Sequence, residues 1–203
     1  MDDDGSVTTR RNFLTGCCVA MGAVAVGATA FPAISALRVA SDLVFGKTEQ
    51  EVDLSAIQPG EMKVVGLSLK RVTLIGTDDL VVPVMVLHRK PEWVRQMEEV
   101  KYGLKEPVEA VERYINPEWF VARAFCTHLG CTPNIIDESA TPVNIVCPCH
   151  GGRFDTLGRV ISGPPPSNLF LLPYRFVSEN RINLFVSSPK DITATKVSDF
   201  QKA

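Results

Sequence analysis

Two short segments constrain this chain more than any other feature. They are CTHLGC (126–131) and CPCHGG (147–152), and each holds two cysteines and one histidine. Each follows a strand-like run, WFVARAFC in one case and PVNIVC in the other, and each is rich in Gly or Pro. Loops carried on rigid strands let several side chains converge on one point. The fold must therefore place two strand–loop units side by side. The whole chain has six Cys and three His (His88, His128 and His150), so a metal site draws on a short list of ligands. The spacings Cys126-x-His128 and Cys147-x2-His150 depart from the usual zinc patterns. Two cysteines and two histidines are the inventory of a 2Fe–2S centre that carries thiolates on one iron and imidazoles on the other. Cys131 and Cys149 then have no iron to bind, and in an exported protein two neighbouring thiols favour a disulfide.

The amino terminus points to export. TTRRNFLTG sets Arg10 and Arg11 just before a run, 13–37, that contains no charged residue. A bilayer core needs roughly 20 apolar residues, and the apolar region of a cleavable signal only about 7–15. The run is long enough to span. Its Gly and Ala content suits close helix packing in lipid. The Thr-Arg-Arg-x-Phe-Leu pattern resembles a twin-arginine export signal. We therefore expect a cytoplasmic segment at 1–12, a transmembrane helix at 13–37, and the bulk of the chain on the far side of the membrane. Three other readings attach to this region, one of them a buried soluble helix. ATA (28–30) fits a signal-peptidase site. LTGC (14–17) resembles a lipoprotein box, but only two apolar residues, Phe13 and Leu14, stand between Arg11 and Cys17.

Residues 38–50 are mixed in character and read as a flexible linker, with a head domain over 51–203. Apolar residues make up 45% of the chain, enough for a sizeable core, and the net charge of −2 gives no basic excess for nucleic acid. The head is mostly β. MKVVGLSLKRVTLIG (62–76) and LVVPVMVLHRK (80–90) read as strands, and Pro83 argues for an edge or a bulge. EWVRQMEEV (92–100) and PVEAVERYI (107–115) read as helices, each with a Pro at or just before its start. NLFLLPYRFVSENRINLFVSS (168–188) alternates and turns at SEN, as a terminal hairpin does. His88 reads as a solvated loop residue, and Trp93 and Trp119 as packing residues.

The two boxes, together with SGPPPSNL (162–169), resemble the respiratory Rieske iron–sulfur proteins, the electron-carrying subunits of cytochrome bc-type quinol oxidoreductases. That resemblance implies an all-β Rieske head on a single N-terminal transmembrane helix. The head would be an antiparallel sandwich with a smaller cluster-binding subdomain, whose loops lie at about 124–168. It implies one 2Fe–2S Rieske cluster, with Cys126 and Cys147 on the buried iron and His128 and His150 on the exposed one. The same two histidines would accept a hydrogen bond and a proton from quinol. Cys131 and Cys149 would form the disulfide. Leu129, Gly130, Pro148, Gly151, Gly152, Phe154, Gly163, Pro164 and Pro165 would surround the cluster. The implied partners are cytochrome b and c-type haem subunits of a dimeric complex, with menaquinol or ubiquinol as donor and no nucleic acid. The implied location is the bacterial inner membrane, with the head on the periplasmic side and swinging on its linker.

Two positions depart from the family pattern. Many members carry Ser and Tyr where this chain has Gly152 and Phe154. In those members both hydroxyls donate to cluster sulfurs. Their absence should lower the potential and suit a low-potential quinol, and Gly152→Ser and Phe154→Tyr should each raise it. Three rival functions are the small Rieske subunit of an arsenite oxidase, a plastid-type cytochrome complex, and a Rieske oxygenase or its ferredoxin. The oxygenase needs a further two-His, one-carboxylate iron site, and only His88 remains to supply it.

Overall fold

The computed structural model describes residues 10–39, 47–73, 76–99, 104–136, 143–187 and 189–201. The uncharged amino-terminal run forms helix α1, Arg10–Val39, slightly longer at both ends than the expected span. Its stretch Arg10–Phe31 is long and apolar enough to cross a membrane. The hydroxyls of Thr15 and Thr29 donate to the carbonyls of Arg11 and Ala25 at 2.9 and 3.0 Å, so neither polar group needs water. Five residues of the linker expected over 38–50 lie in regular elements. Arg38 and Val39 still belong to α1, and Thr48 to Gln50 already lie in the first strand. Residues 40–46 fall outside the described residues.

Among the described residues the head has ten strands: β1 Thr48–Asp53, β2 Met62–Thr73, β3 Gly76–His88, β4 Trp119–Arg123, β5 Asn134–Ile135, β6 Val143–Cys147, β7 Gly152–Asp155, β8 Val160–Ser162, β9 Tyr174–Ser178 and β10 Arg181–Val186. They form two three-stranded sheets, β1-β10-β9 and β2-β3-β4, and a four-stranded sheet, β5-β6-β7-β8. Every ladder among these strands is antiparallel. The four-stranded sheet carries the second box between β6 and β7.

Local chemistry explains most of these elements. In β2, Leu67 and Leu69 are fully buried between exposed Gly66, Ser68 and Lys70, the period of two of a half-buried strand. Pro83 lies where the β3–β4 ladder ends. β4 pairs with β3 only from Val84 onward, and the Pro83 carbonyl accepts from Ala124 N at 2.8 Å. β3 is the middle strand of its sheet, so the edge reading does not hold; Pro83 has no N–H to return to Ala124, and the ladder with β4 ends there. The hairpin expected near the carboxyl end forms as β9 and β10, turning at Glu179 and Asn180. β1 completes that sheet, and Glu49 is held by Arg175 at 2.8 Å and Asn183 at 2.7 Å.

The first expected helix forms as α2, Pro91–Glu99, with Pro91 at its first position and Trp93 and Met97 buried one turn apart. The second does not form. Of 107–115 only Ala110–Arg113 make a 3-10 turn, and Glu109 and Tyr114 on either side are extended. The cause is Arg113. Its guanidinium is buried and donates to the carbonyls of Leu157 at 3.0 Å and Leu169 at 2.7 Å, and also to that of Thr195. About two and a half turns of regular helix would not leave the side chain and its neighbours placed for these distant carbonyls, and tertiary bonds outweigh helix propensity of a few tenths of a kcal/mol per residue. Burial pulls the Arg113 guanidinium down to about 10, so it still carries its charge at neutral pH. Gly158 beside it has φ +67°, and a Cβ there would fall 2.6 Å from the Phe120 ring.

Candidate metal centre

One continuous core runs from Met85 and Leu87 of β3 through Phe120 and Ala122 of β4 to Ile145, Cys147 and Phe154 of the four-stranded sheet. Both boxes sit at its end. They also close in the same way. Gly130 N donates to Cys126 O at 2.9 Å, and Gly151 N donates to Cys147 O at 3.1 Å. Both glycines have positive φ, +85° and +69°, which L side chains rarely adopt. Each box is therefore a one-turn loop from a Cys to a Gly four residues on. That shared Cys-x3-Gly spacing is visible in the sequence, but the sequence reading did not use it.

The turns sort the ligand-type side chains by depth. Cys126 and Cys147 are buried and unpaired. His128 is half-buried and His150 exposed, with ring centroids 4.8 Å apart in an edge-to-face arrangement. Burial pushes the Cys126 thiol up, and the neighbouring Cys147 adds to this, while the backbone amides of His128 and Leu129 oppose it. Those amides point at the sulfur and would favour a thiolate once a cation is present. Nδ1 of His128 is buried with no hydrogen-bond partner. A buried orphan nitrogen, a second imidazole beside it and two dry thiols below are what a metal with mixed nitrogen and sulfur ligands requires, so the residues fit an iron–sulfur centre.

Cys131 and Cys149 are joined by a disulfide, with Cα atoms 6.5 Å apart. The sulfurs of Cys131, Cys147 and Cys149 lie within 4.8 Å of one another. Two of the three are used in the bond, so Cys147 is the trio's free thiol. The bridge ties the first box directly to the second.

The proline-rich loop covers the second box. Gly163 has φ +88°, and a Cβ there would fall 2.7 Å from Gly151 O and 2.9 Å from Gly152 Cα. Pro165 is buried, whereas Pro164, Pro148, Gly130 and Gly151 are exposed. Thr127 Oγ1 donates to Ser167 O at 2.6 Å and so joins the first box to the same loop. Leu129 stands out at the tip, 72% exposed. Phe154 is fully buried in the core that holds both free thiols.

One expectation meets a steric condition and another needs correction. A Cβ on Gly152 would lie 2.5 Å from Pro165 Cγ, so a serine there requires Pro165 to shift. The missing hydroxyl at 152 is thus coupled to how closely that loop is seated. His88 is also not a solvated loop residue. It ends β3, its ring stacks on Trp119 at 4.2 Å, and Nδ1 lies 2.8 Å from Ile57 O. Trp93 and Trp119 pack in the core as expected. The sequence reading also missed Asn168, Asp155 and Arg159, all buried behind the loops. Arg159 pairs with Asp155 at 2.6 Å.

A β head with two disulfide-clamped loops, presenting paired imidazoles over paired thiols, defines a mixed-ligand iron–sulfur protein. Comparison with known proteins makes this specific. The model of the Rieske [2Fe–2S] domain matches residues 57–174, more than half of the chain, and the chain belongs to that family. It is 32% identical over 186 residues to the ubiquinol–cytochrome c reductase iron–sulfur subunit of Rickettsia felis, covering 90% of this chain and 97% of that protein. It is 31% identical over 184 residues to the subunit of the same name from Blastochloris viridis, covering 89% and 95%. With the mitochondrial Rieske subunit of the cytochrome b-c1 complex of Solanum tuberosum it shares 35% over 144 residues, 70% of this chain and 49% of the other.

Proposed function

We propose that this chain is the electron-transfer subunit of a cytochrome bc-type complex, taking an electron and a proton from quinol and passing the electron to a c-type haem. The observation that carries this reading is the pair of imidazoles at the loop tip, 4.8 Å apart, above two buried thiols. The resemblance to reductase subunits over 90% of the chain supports it over the arsenite oxidase subunit.

In this reading Cys126 and Cys147 hold the inner iron, and His128 and His150 the outer one. When bound, the cluster supplies a one-electron acceptor whose added negative charge favours protonation of its imidazoles. The protein does the rest. The exposed ring of His150 offers its free nitrogen to a quinol hydroxyl as a hydrogen-bond acceptor and then holds the proton. Leu129 and the proline loop make an apolar collar that excludes water from that contact. The cytochrome b and c-type haem subunits would be partners in a dimeric complex. α1 would anchor the chain in the bacterial inner membrane, with the head on the periplasmic side and swinging on its short linker. Solubilising the full chain from its native membrane tests this. It should bring b- and c-type haems with it and support quinol:cytochrome c reduction. Recovery with a molybdenum-containing subunit and no haem would contradict the assignment.

The missing hydroxyls support a low-potential donor such as menaquinol. Phe154→Tyr should raise the midpoint potential. A hydrogen bond strengthened by about 1 kcal/mol on reduction corresponds to about 40 mV for one electron. Gly152→Ser should instead perturb the EPR line shape, because it must first move Pro165. An EPR-monitored redox titration of both variants checks this, and a Phe154→Tyr potential that stays put or falls would count against tuning at this position.

A further inference from the structure

A strap well upstream of both boxes holds the proline-rich loop by its two feet. Lys105 N donates to Val160 O at 3.3 Å, and Lys105 Nζ donates to Gly163 O. At the other foot, Glu106 Oε2 accepts from Asn168 N at 2.7 Å, and Glu106 O accepts from Asn168 Nδ2 at 3.0 Å. Asn168 is fully buried, and its side-chain oxygen accepts from Val160 N at 2.8 Å, which draws the two feet together. The loop so held is the one whose Gly163 and Pro165 press on Gly151 and Gly152, with no room for a Cβ at either 152 or 163.

We propose that Lys105 and Glu106 are positioning residues, which set the seat of the proline-rich loop on Gly151 and Gly152 of the second box. The chemistry favours Glu106 as the stronger of the two. A carboxylate accepting from a backbone amide makes a charge-assisted bond, roughly twice as strong as a neutral one, and its loss leaves the Asn168 amide unpaired. Lys105 is exposed, and its contact with Gly163 O competes with water.

This inference rests on the cluster assignment above, and the two can fail separately. The full-length protein, in detergent and loaded with its cluster, is compared with Glu106→Ala, Glu106→Gln and Lys105→Met by two readouts. The first is amide hydrogen exchange, which needs no electron transfer. Glu106→Ala should raise exchange at Asn168 and at Gly151 and Gly152 by tenfold or more and leave the β1–β10 ladder unchanged. Glu106→Gln, which keeps an acceptor oxygen, should restore most of the protection. Lys105→Met should act in the same direction by a smaller factor. The second is the EPR spectrum of the reduced protein. Its g values should shift in Glu106→Ala and return in Glu106→Gln. Unchanged exchange at these three amides in Glu106→Ala, or exchange raised equally throughout the head, overturns the positioning role. So do unchanged g values in a variant whose loop has loosened. A wild type with protected amides but no Rieske signal would instead overturn the cluster assignment.

Discussion

Cys126→Ser, Cys147→Ser, His128→Ala and His150→Ala are each expected to abolish the Rieske EPR signal while leaving the head folded. The effect should be all or nothing, because each side chain supplies a bond that no neighbour can replace. The other two cysteines of the boxes are joined to each other, and the remaining histidine is stacked on Trp119. A serine hydroxyl at 126 or 147 would be a neutral, poor ligand and would also sit in a dry core, a burial cost of about 1–3 kcal/mol that a domain of this size tolerates. The two histidine variants should cost less, since His150 is exposed and His128 half-buried. Far-ultraviolet circular dichroism reports the fold, and EPR of dithionite-reduced membranes reports the cluster. Any one of the four variants keeping a full signal would remove that residue from the ligand set.

The disulfide should have the second-largest effect. Replacing Cys131 and Cys149 together by alanine is expected to cost about 2–5 kcal/mol of stability. The bond joins residues 18 apart in sequence and is the covalent link between the two boxes. The double variant is the informative one. A single replacement would leave a free thiol in the small space that Cys147 also occupies, within 4.8 Å. The cluster should still form, because the free thiols and the imidazoles are untouched, but it should be lost several-fold faster in the presence of a chelator. Thermal unfolding and the decay of the visible absorbance measure the two effects. An unchanged transition temperature, or labelling of both thiols in the native unreduced protein, would show that the bridge does not clamp the loops.

What could be read from the sequence was local, and what could not was set by partners distant in the chain. The boxes, the uncharged amino-terminal run and the turn between β9 and β10 each declare themselves within a few residues. The absent helix at 107–115 is the opposite case. Its composition is helical, but Arg113 is committed to carbonyls more than 40 residues away, at separations of 44 and 56. Gly152 looked like a simple lost donor until the proline loop appeared 2.5 Å from where its Cβ would be. His88 sits among charged residues in LHRK, and only the register of β3 with β4, which pairs it with Trp119, shows it to be half-buried. Thr48 to Gln50, read as linker, acquire partners in β10, and nothing in TEQ announces a strand. Lys105 and Glu106 carried no local signal at all. Their partners are a carbonyl and an amide of a loop that the sequence places far downstream.

The central claim is that His128 and His150 bind the same cluster and present their free nitrogens at the tip. Pulsed EPR of the reduced full-length protein labelled with 15N-histidine tests it most directly. Two strongly coupled histidine nitrogens should appear, they should persist in His88→Gln, and no reduced cluster should be detectable in His128→Ala or His150→Ala. A cluster signal with no histidine nitrogen coupling, or with one that disappears in His88→Gln, would contradict the account.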